Sequence, residues 1–384
     1  MKILTITALV VASVATSPLC AQQMRLAFPS FDPGVRVAMN EEFSAPGEPR
    51  LQMDVYRPPA SMPAGRGYPV LVFFNRATGA DRSGQFYAGW ARMAASRGMV
   101  AILPDLRDGK QGEDFRALMA YLDEHATHLG MDHDAIAVYA ASGNAYTALP
   151  ILESPEAKLV KAAVIYYGAG DVKEFRLDLP MLMVRAGLDR PGLNVAMTEL
   201  ASRGVSQNAP ITLLNYPTGH HAFEMMDDND ATRDVIEQTL TWVKRAMEPA
   251  TLLAAQSALP EAEAAGLALS GNFTKAASLY ATLVAAAPAD SRMRLAWGET
   301  LIGAGEFARA CTEFEKLRGK GLGPRDVGLP GARACVQAGD PAAAVKWLES
   351  IPARFLPAQV ANEPAFAPIR DRPDFKAVFA RPAS

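Results

Sequence analysis

A serine, an aspartate and a histidine lie on three separate segments of this 384-residue chain, in an order that could support nucleophilic chemistry. Ser142 sits in VYAASGNAY, where an apolar run stops and a helical pattern begins. Asp189 follows 47 residues later in GLDRPG, and His221 a further 32 residues on in TGHHAF, each just after an apolar run. A serine hydroxyl is a weak nucleophile by itself; it needs a base to take its proton and a carboxylate to orient that base. The bland alternatives are a helix N-cap for Ser142, a surface carboxylate for Asp189 and a solvated pair for the histidines. His220 is a second candidate for the base, and Asp171, after the preceding strand, a second candidate for the acid.

The elements that must position these residues are legible as an alternation. Between about residues 34 and 247 the runs RVAM, LQMDVY, PVLVFFN, MVAILPD, AIAVYAA, KAAVIYYGA, MLMVRAG and ITLLNYP alternate with helical patterns. This predicts an α/β domain with a mostly parallel sheet. Several runs are apolar at consecutive positions, as strands covered by helices on both faces require. Helices are expected near 84–97, 111–128, 143–152, 194–204 and 230–247, the last preceded by the short acceptors of Asp227, Asp228, Asn229 and Asp230. A sharp strand-to-helix turn at Ser142 demands small neighbours: Ala140 and Gly143 meet that demand, while Asn144 is larger.

With these residues in place, segment 34–247 resembles an α/β-hydrolase, and within that superfamily the dienelactone hydrolase-like esterases. The carrying motifs are the small-x-Ser-x segment at Ser142, AVIYYGAG on the following strand, RAGLDRP bearing Asp189, and His221-Ala222-Phe223. Dienelactone hydrolase itself uses cysteine, so the serine points to the esterase members. The resemblance implies that Ser142 attacks an acyl carbon, that His221 relays the proton and that Asp189 orients the imidazole. It favours His221 over His220, because the family histidine stands two before the aromatic. It also implies an oxyanion hole built from the backbone N–H of Gly143 and of Arg76 or Ala77, where relatives carry His-Gly and this chain has Asn75-Arg76. Arg76, Arg107 and Arg190 fall at strand ends. They could hold a carboxylate-bearing substrate, or serve structure, since PDLRD resembles a turn common in the family. Only Gly168 to Leu179 stand where many relatives insert a helical cap, so the pocket should be open there unless the C-terminal helices cover it. An acyltransferase or a peptidase with the same triad, and a non-catalytic interaction scaffold, remain as alternative readings.

From about 260 the chain is alanine-rich and repeats with a period of 34. Gly271, Gly305 and Gly339 keep this spacing, as do Ala276, Ala310 and Ala344, then Tyr280, Phe314 and Leu348, then Leu283, Leu317 and Ile351. This resembles the tetratricopeptide repeat, which implies stacked helix pairs and a possible protein partner. On that frame Cys311 and Cys335 lie on neighbouring helices, where they are either a disulfide or two buried thiols.

The remaining features bound the function. With 38 basic and 41 acidic residues there is no electrostatic footprint for nucleic acid. MKILTITALVVASVATSPLCAQQ has the layout of a secretory signal peptide, with cleavage expected after Ala21 and an uncleaved anchor as its rival. No later run is long and apolar enough to span a membrane, so a periplasmic or secreted protein is expected. His125, His128 and His133 do not fit a zinc spacing, and no phosphate loop appears, so no metal and no cofactor is expected. The expected organisation is a leader at 1–21, a hydrolase domain at 22–249 and a helical repeat domain at 250–384, acting on a small-molecule ester.

Overall fold

The computed structural model describes residues 27, 28, 30–44, 48–75, 82, 84–248 and 260–381. The expected leader at 1–21, the domain boundary at 249–250 and the two oxyanion-loop residues Arg76 and Ala77 lie outside the described residues.

All eight apolar runs form strands: β1 (Arg36–Glu42), β2 (Gln52–Arg57), β3 (Tyr68–Phe74), β4 (Val100–Pro104), β5 (Met131–Ala141), β6 (Val160–Tyr166), β7 (Met181–Ala186) and β8 (Ile211–Tyr216). They make one sheet in the order β1-β2-β4-β3-β5-β6-β7-β8. The β1/β2 and β2/β4 pairs are antiparallel and the remaining pairs are parallel. The expected helices are α1 (Gln85–Ser96), α2 (Gln111–Leu129), α3 (Gly143–Leu152), α4 (Pro191–Ser206) and α6 (Asp230–Ala246), with one short addition, α5 (Phe223–Met226). Asn229 caps α6, its side-chain oxygen accepting from Thr232 N at 2.9 Å.

The continuous apolar runs are explained by two cores, one on each face. Val70, Val72 and Phe74 of β3 and Ile136, Val138 and Ala140 of β5 pack with Leu118 and Leu122 of α2, Leu149 of α3 and Leu200 of α4. The alternate residues Leu71, Phe73, Ala137 and Tyr139 pack on the other face with Trp90 of α1 and Ile236 and Leu240 of α6. Side chains alternate across a strand, so a strand sandwiched between helices must be apolar at every position. The outcome is an α/β architecture, a mostly parallel sheet with helices on both faces.

The C-terminal part is helical: α7 (Pro260–Leu269), α8 (Phe273–Ala286), α9 (Ser291–Gly303), α10 (Phe307–Glu315), α11 (Pro324–Gln337) and α12 (Pro341–Glu349), then short 3₁₀ turns and α13 (Pro373–Phe379). Gly271, Gly305 and Gly339 all take left-handed φ, at +81°, +76° and +81°, between successive helices, a conformation that L side chains resist. Ala276, Ala310, Ala344, Tyr280, Phe314 and Leu348 are buried. Cys311 on α10 and Cys335 on α11 form a disulfide with a Cα separation of 4.7 Å. This tail touches the α/β domain at the turn before β8. Asn208 Nδ2 donates to Ala262 O at 3.1 Å, and a Cβ at Gly266 would stand 2.4 Å from Gln207 O. The contact is therefore at the N-terminal end of β8, away from the strand ends that carry Ser142, Asp189 and His221.

Candidate active site

Ser142 occupies the step from β5 into α3 with φ 54° and ψ −130°, a region sparsely populated by residues with a side chain. The surroundings hold it there. Ser142 N donates to Tyr166 O at 3.0 Å, and Ala145 N donates to Ser142 O at 3.1 Å. The loop after β6 presses on the turn: a Cβ at Gly168 would stand 2.5 Å from Ala145 Cβ and 2.7 Å from Ser142 O. Glycine in YYGAG is thus a packing requirement of the serine turn. Asn144, the oversized residue, is accommodated by donating Nδ2 to Tyr87 OH on α1 at 3.0 Å. The turn pairs the amide nitrogen with a neighbouring helix and leaves Oδ1 buried without a hydrogen-bond partner among the described residues.

Three strand ends bring the expected side chains together. Ser142 Oγ is 2.9 Å from His221 Nε2, and His221 Nδ1 is 2.6 Å from Asp189 Oδ2. Asp189 is buried, and its second oxygen accepts from Arg190 N at 2.6 Å. With both carboxylate oxygens engaged, the arrangement assigns the proton to His221 Nδ1, leaving Nε2 a lone pair for the serine proton. The histidine ring also packs against Tyr167, with ring centroids 4.8 Å apart. A Cβ built on Gly143 would meet nothing within 4 Å, so the space beside its backbone is open. As the first residue of α3, Gly143 has an N–H without an intrahelical acceptor.

His220 points elsewhere: Nδ1 bonds Asp227 Oδ1 at 2.7 Å and its backbone N donates to Asp227 Oδ2 at 2.8 Å. Asp171 is exposed in the β6–β7 loop. Arg107 and Arg190 keep separate partners. Arg107 is held by Asp114, with Nη2 to Oδ1 at 2.5 Å and its backbone N to Oδ2 at 2.6 Å. Arg190 is exposed, its Nε 3.6 Å from Asp189 Oδ1. Arg82 is a charged residue that sequence reasoning passed over. It is buried and pairs with Asp54 and with Asp105, the latter at 3.0 Å from Nε. His125 stacks on Tyr121 and His133 bonds Asp123, and no metal-ligating cluster occurs among the described residues. No helix among the described residues is long and apolar enough to cross a membrane. Tyr87 carried no local signal of its role, and Gly168, although part of YYGAG, none of its packing against Ser142, since both act through contacts between distant segments.

No protein-family model matches the chain, and no curated protein matches it either. Among solved structures it is similar to a bacterial heroin esterase, at 15% identity over 56% of this chain and 86% of that one, with a TM-score of 0.44. It is also similar to brefeldin A esterase, a bacterial homologue of human hormone-sensitive lipase, at 15% identity over 58% of this chain and 80% of that one, with a TM-score of 0.47. A thermostable esterase from Pseudomonas putida shares 16% identity over 56% of this chain and 84% of that one, with a TM-score of 0.47. The activities in those names belong to those proteins.

Proposed function

We propose that the protein is an exported serine hydrolase of carboxylic esters, related to the dienelactone hydrolase-like esterases. The observation that carries this reading is the continuous relay from Ser142 through His221 to a buried Asp189, with the serine held in a strained turn. In the reaction, Ser142 Oγ attacks the acyl carbon while its proton passes to His221 Nε2, and Asp189 stabilises the imidazolium. The negative charge on the carbonyl oxygen is met by the N–H of Gly143 and by a second backbone donor, assigned to Arg76 or Ala77. Collapse of the tetrahedral species breaks the ester C–O bond, and the leaving alkoxide takes the proton from His221. Water, activated by the same histidine, then releases the acid. A transferase would share these steps and differ only in the final acceptor, which product analysis distinguishes.

Export is part of the proposal; the Cys311–Cys335 disulfide supports it, since such bonds persist in oxidising compartments. The helical tail is read as a tetratricopeptide-like module that docks a protein. The decisive experiment compares the protein with Ser142→Ala on a fluorophosphonate probe and short-chain aryl esters. The wild type should label and turn over, and the variant should lose labelling together with about 10⁴-fold or more of kcat. Equal behaviour of the two, or inactivity of both, overturns the assignment.

A further inference from the structure

Three residues beyond His221 the chain places a carboxylate, Glu224, in the first turn of α5, and the fold buries it completely. A buried carboxylate is costly unless it is paired or hydrogen-bonded. Its side-chain partners are two phenols, and no cation pairs with it among the described residues. Tyr139 OH donates to Oε1 at 3.0 Å, and Tyr167 OH donates to Oε2 at 3.0 Å. Desolvation pushes the Glu224 carboxyl up to about 7, against the opposing pull of hydrogen bonds from its own backbone N–H and then from Tyr167 and Tyr139.

The origins of the two phenols give this site its meaning. Tyr139 belongs to β5, three residues before Ser142, and Tyr167 follows β6 directly with a left-handed φ of 31°. The neighbouring Tyr166 supplies the carbonyl that holds Ser142 N. The Tyr167 ring lies against His221 and also edge-on to Phe223, with centroids 5.5 Å apart. One carboxyl therefore ties the nucleophile strand, the end of β6 and the histidine segment. A histidine relay tolerates displacements of only about 0.5 Å.

We propose that Glu224 is a positioning residue: through the Tyr167 hydroxyl it fixes the ring against which His221 packs, and through Tyr139 it locks that ring to the nucleophile strand. The proposal rests on the hydrolase reading above. It also makes the positioning dependent on protonation. The groups facing Glu224 are Tyr139 from β5, Tyr166 and Tyr167 from the end of β6, and Trp90 from α1, with Tyr87 of α1 next to the two hydrogen-bonded phenols. Ionised, the carboxylate accepts from both hydroxyls. Protonated, it donates through one oxygen, so one of the two hydroxyls must turn from donor to acceptor. Activity on the acid side then depends on the Glu224 proton.

The test uses the full-length protein and its Glu224→Gln and Tyr167→Phe variants. Active sites are counted with a fluorophosphonate, and kcat and KM for an aryl ester are followed from about pH 5 to about pH 9. Both variants should lose about 10- to 100-fold in kcat with little change in KM. The acid limb should lose the Glu224 step in Glu224→Gln, which carries no ionisable group at that position. If kcat stays within about twofold of wild type and the limb keeps its shape, the carboxyl only packs, whatever happens to Tm, and the proposal fails. Should Glu224→Gln not fold, Tyr167→Phe, which removes one hydroxyl and keeps the ring, decides alone. A wild type without Ser142-dependent labelling overturns the hydrolase reading and this proposal together; an active wild type with unaffected variants overturns only the latter.

Discussion

His220 and His221 are adjacent in the chain and opposite in environment. One is exposed and paired with Asp227; the other bridges Ser142 and Asp189. Substituting His221→Ala should lower kcat/KM by about 10⁴-fold, while His220→Ala should stay within about threefold, as measured with an aryl ester. Ionisation also marks stability. Burial pushes both Glu224 and Glu153 up to about 7. Each folded carboxyl holds its proton where the unfolded one has released it, so the stabilisation is full below about pH 4.5 and is lost as pH rises through about 7. Thermal unfolding across that window should show a falling midpoint, with about 3 kcal/mol at most from Glu224, and Glu224→Gln should remove its share of the slope. Ser142, Asp189 and His221 were visible in the sequence because each follows an apolar run. Glu224, Tyr167 and Tyr87 were not, because their partners lie on other strands and helices and no local pattern announces such contacts.

At the scale of elements, the serine turn is made by two segments pressed together. The β6 exit reaches the turn only because Gly168 has no side chain. Gly168→Ala should push the Ser142 carbonyl away, lowering kcat by about tenfold or more and costing about 1–3 kcal/mol in a denaturant titration; an unchanged pair of values would show that the loop yields freely. The loop itself is pinned below by Arg176, whose Nη1 donates to Leu152 O at 3.1 Å and to Ala157 O at 2.8 Å. The inner strands β3 to β7 were legible because burial on both faces writes an apolar run, while the edge strands β1 and β8, only partly buried, were marked only by short apolar stretches. The closing 3₁₀ turns Ala353–Phe355, Ala358–Asn362 and Pro364–Ile369 were not, because closely spaced prolines leave no helical period to read.

Across the whole molecule, the tail has its own core and its own crosslink. Phe314, Leu348, Phe366 and Phe375 pack apart from the two cores of the sheet domain, and the Cys311–Cys335 bond closes a loop of 24 residues within that region. Reduction should therefore cost the tail about 3 kcal/mol and leave turnover of a small ester within about twofold, seen as an early unfolding step with activity retained. A simultaneous loss of both would mean that the two regions unfold as one. The tail could have covered the side left open by the short Gly168–Leu179 segment. It lies beside only the second half of that segment, where Lys173, Glu174 and Phe175 share a cavity with Gly266, Leu267 and Asn272 next to the turn at Gln207 and Asn208. The tail thus anchors where β8 begins, while Ser142, Asp189 and His221 meet beyond the ends of β5, β7 and β8.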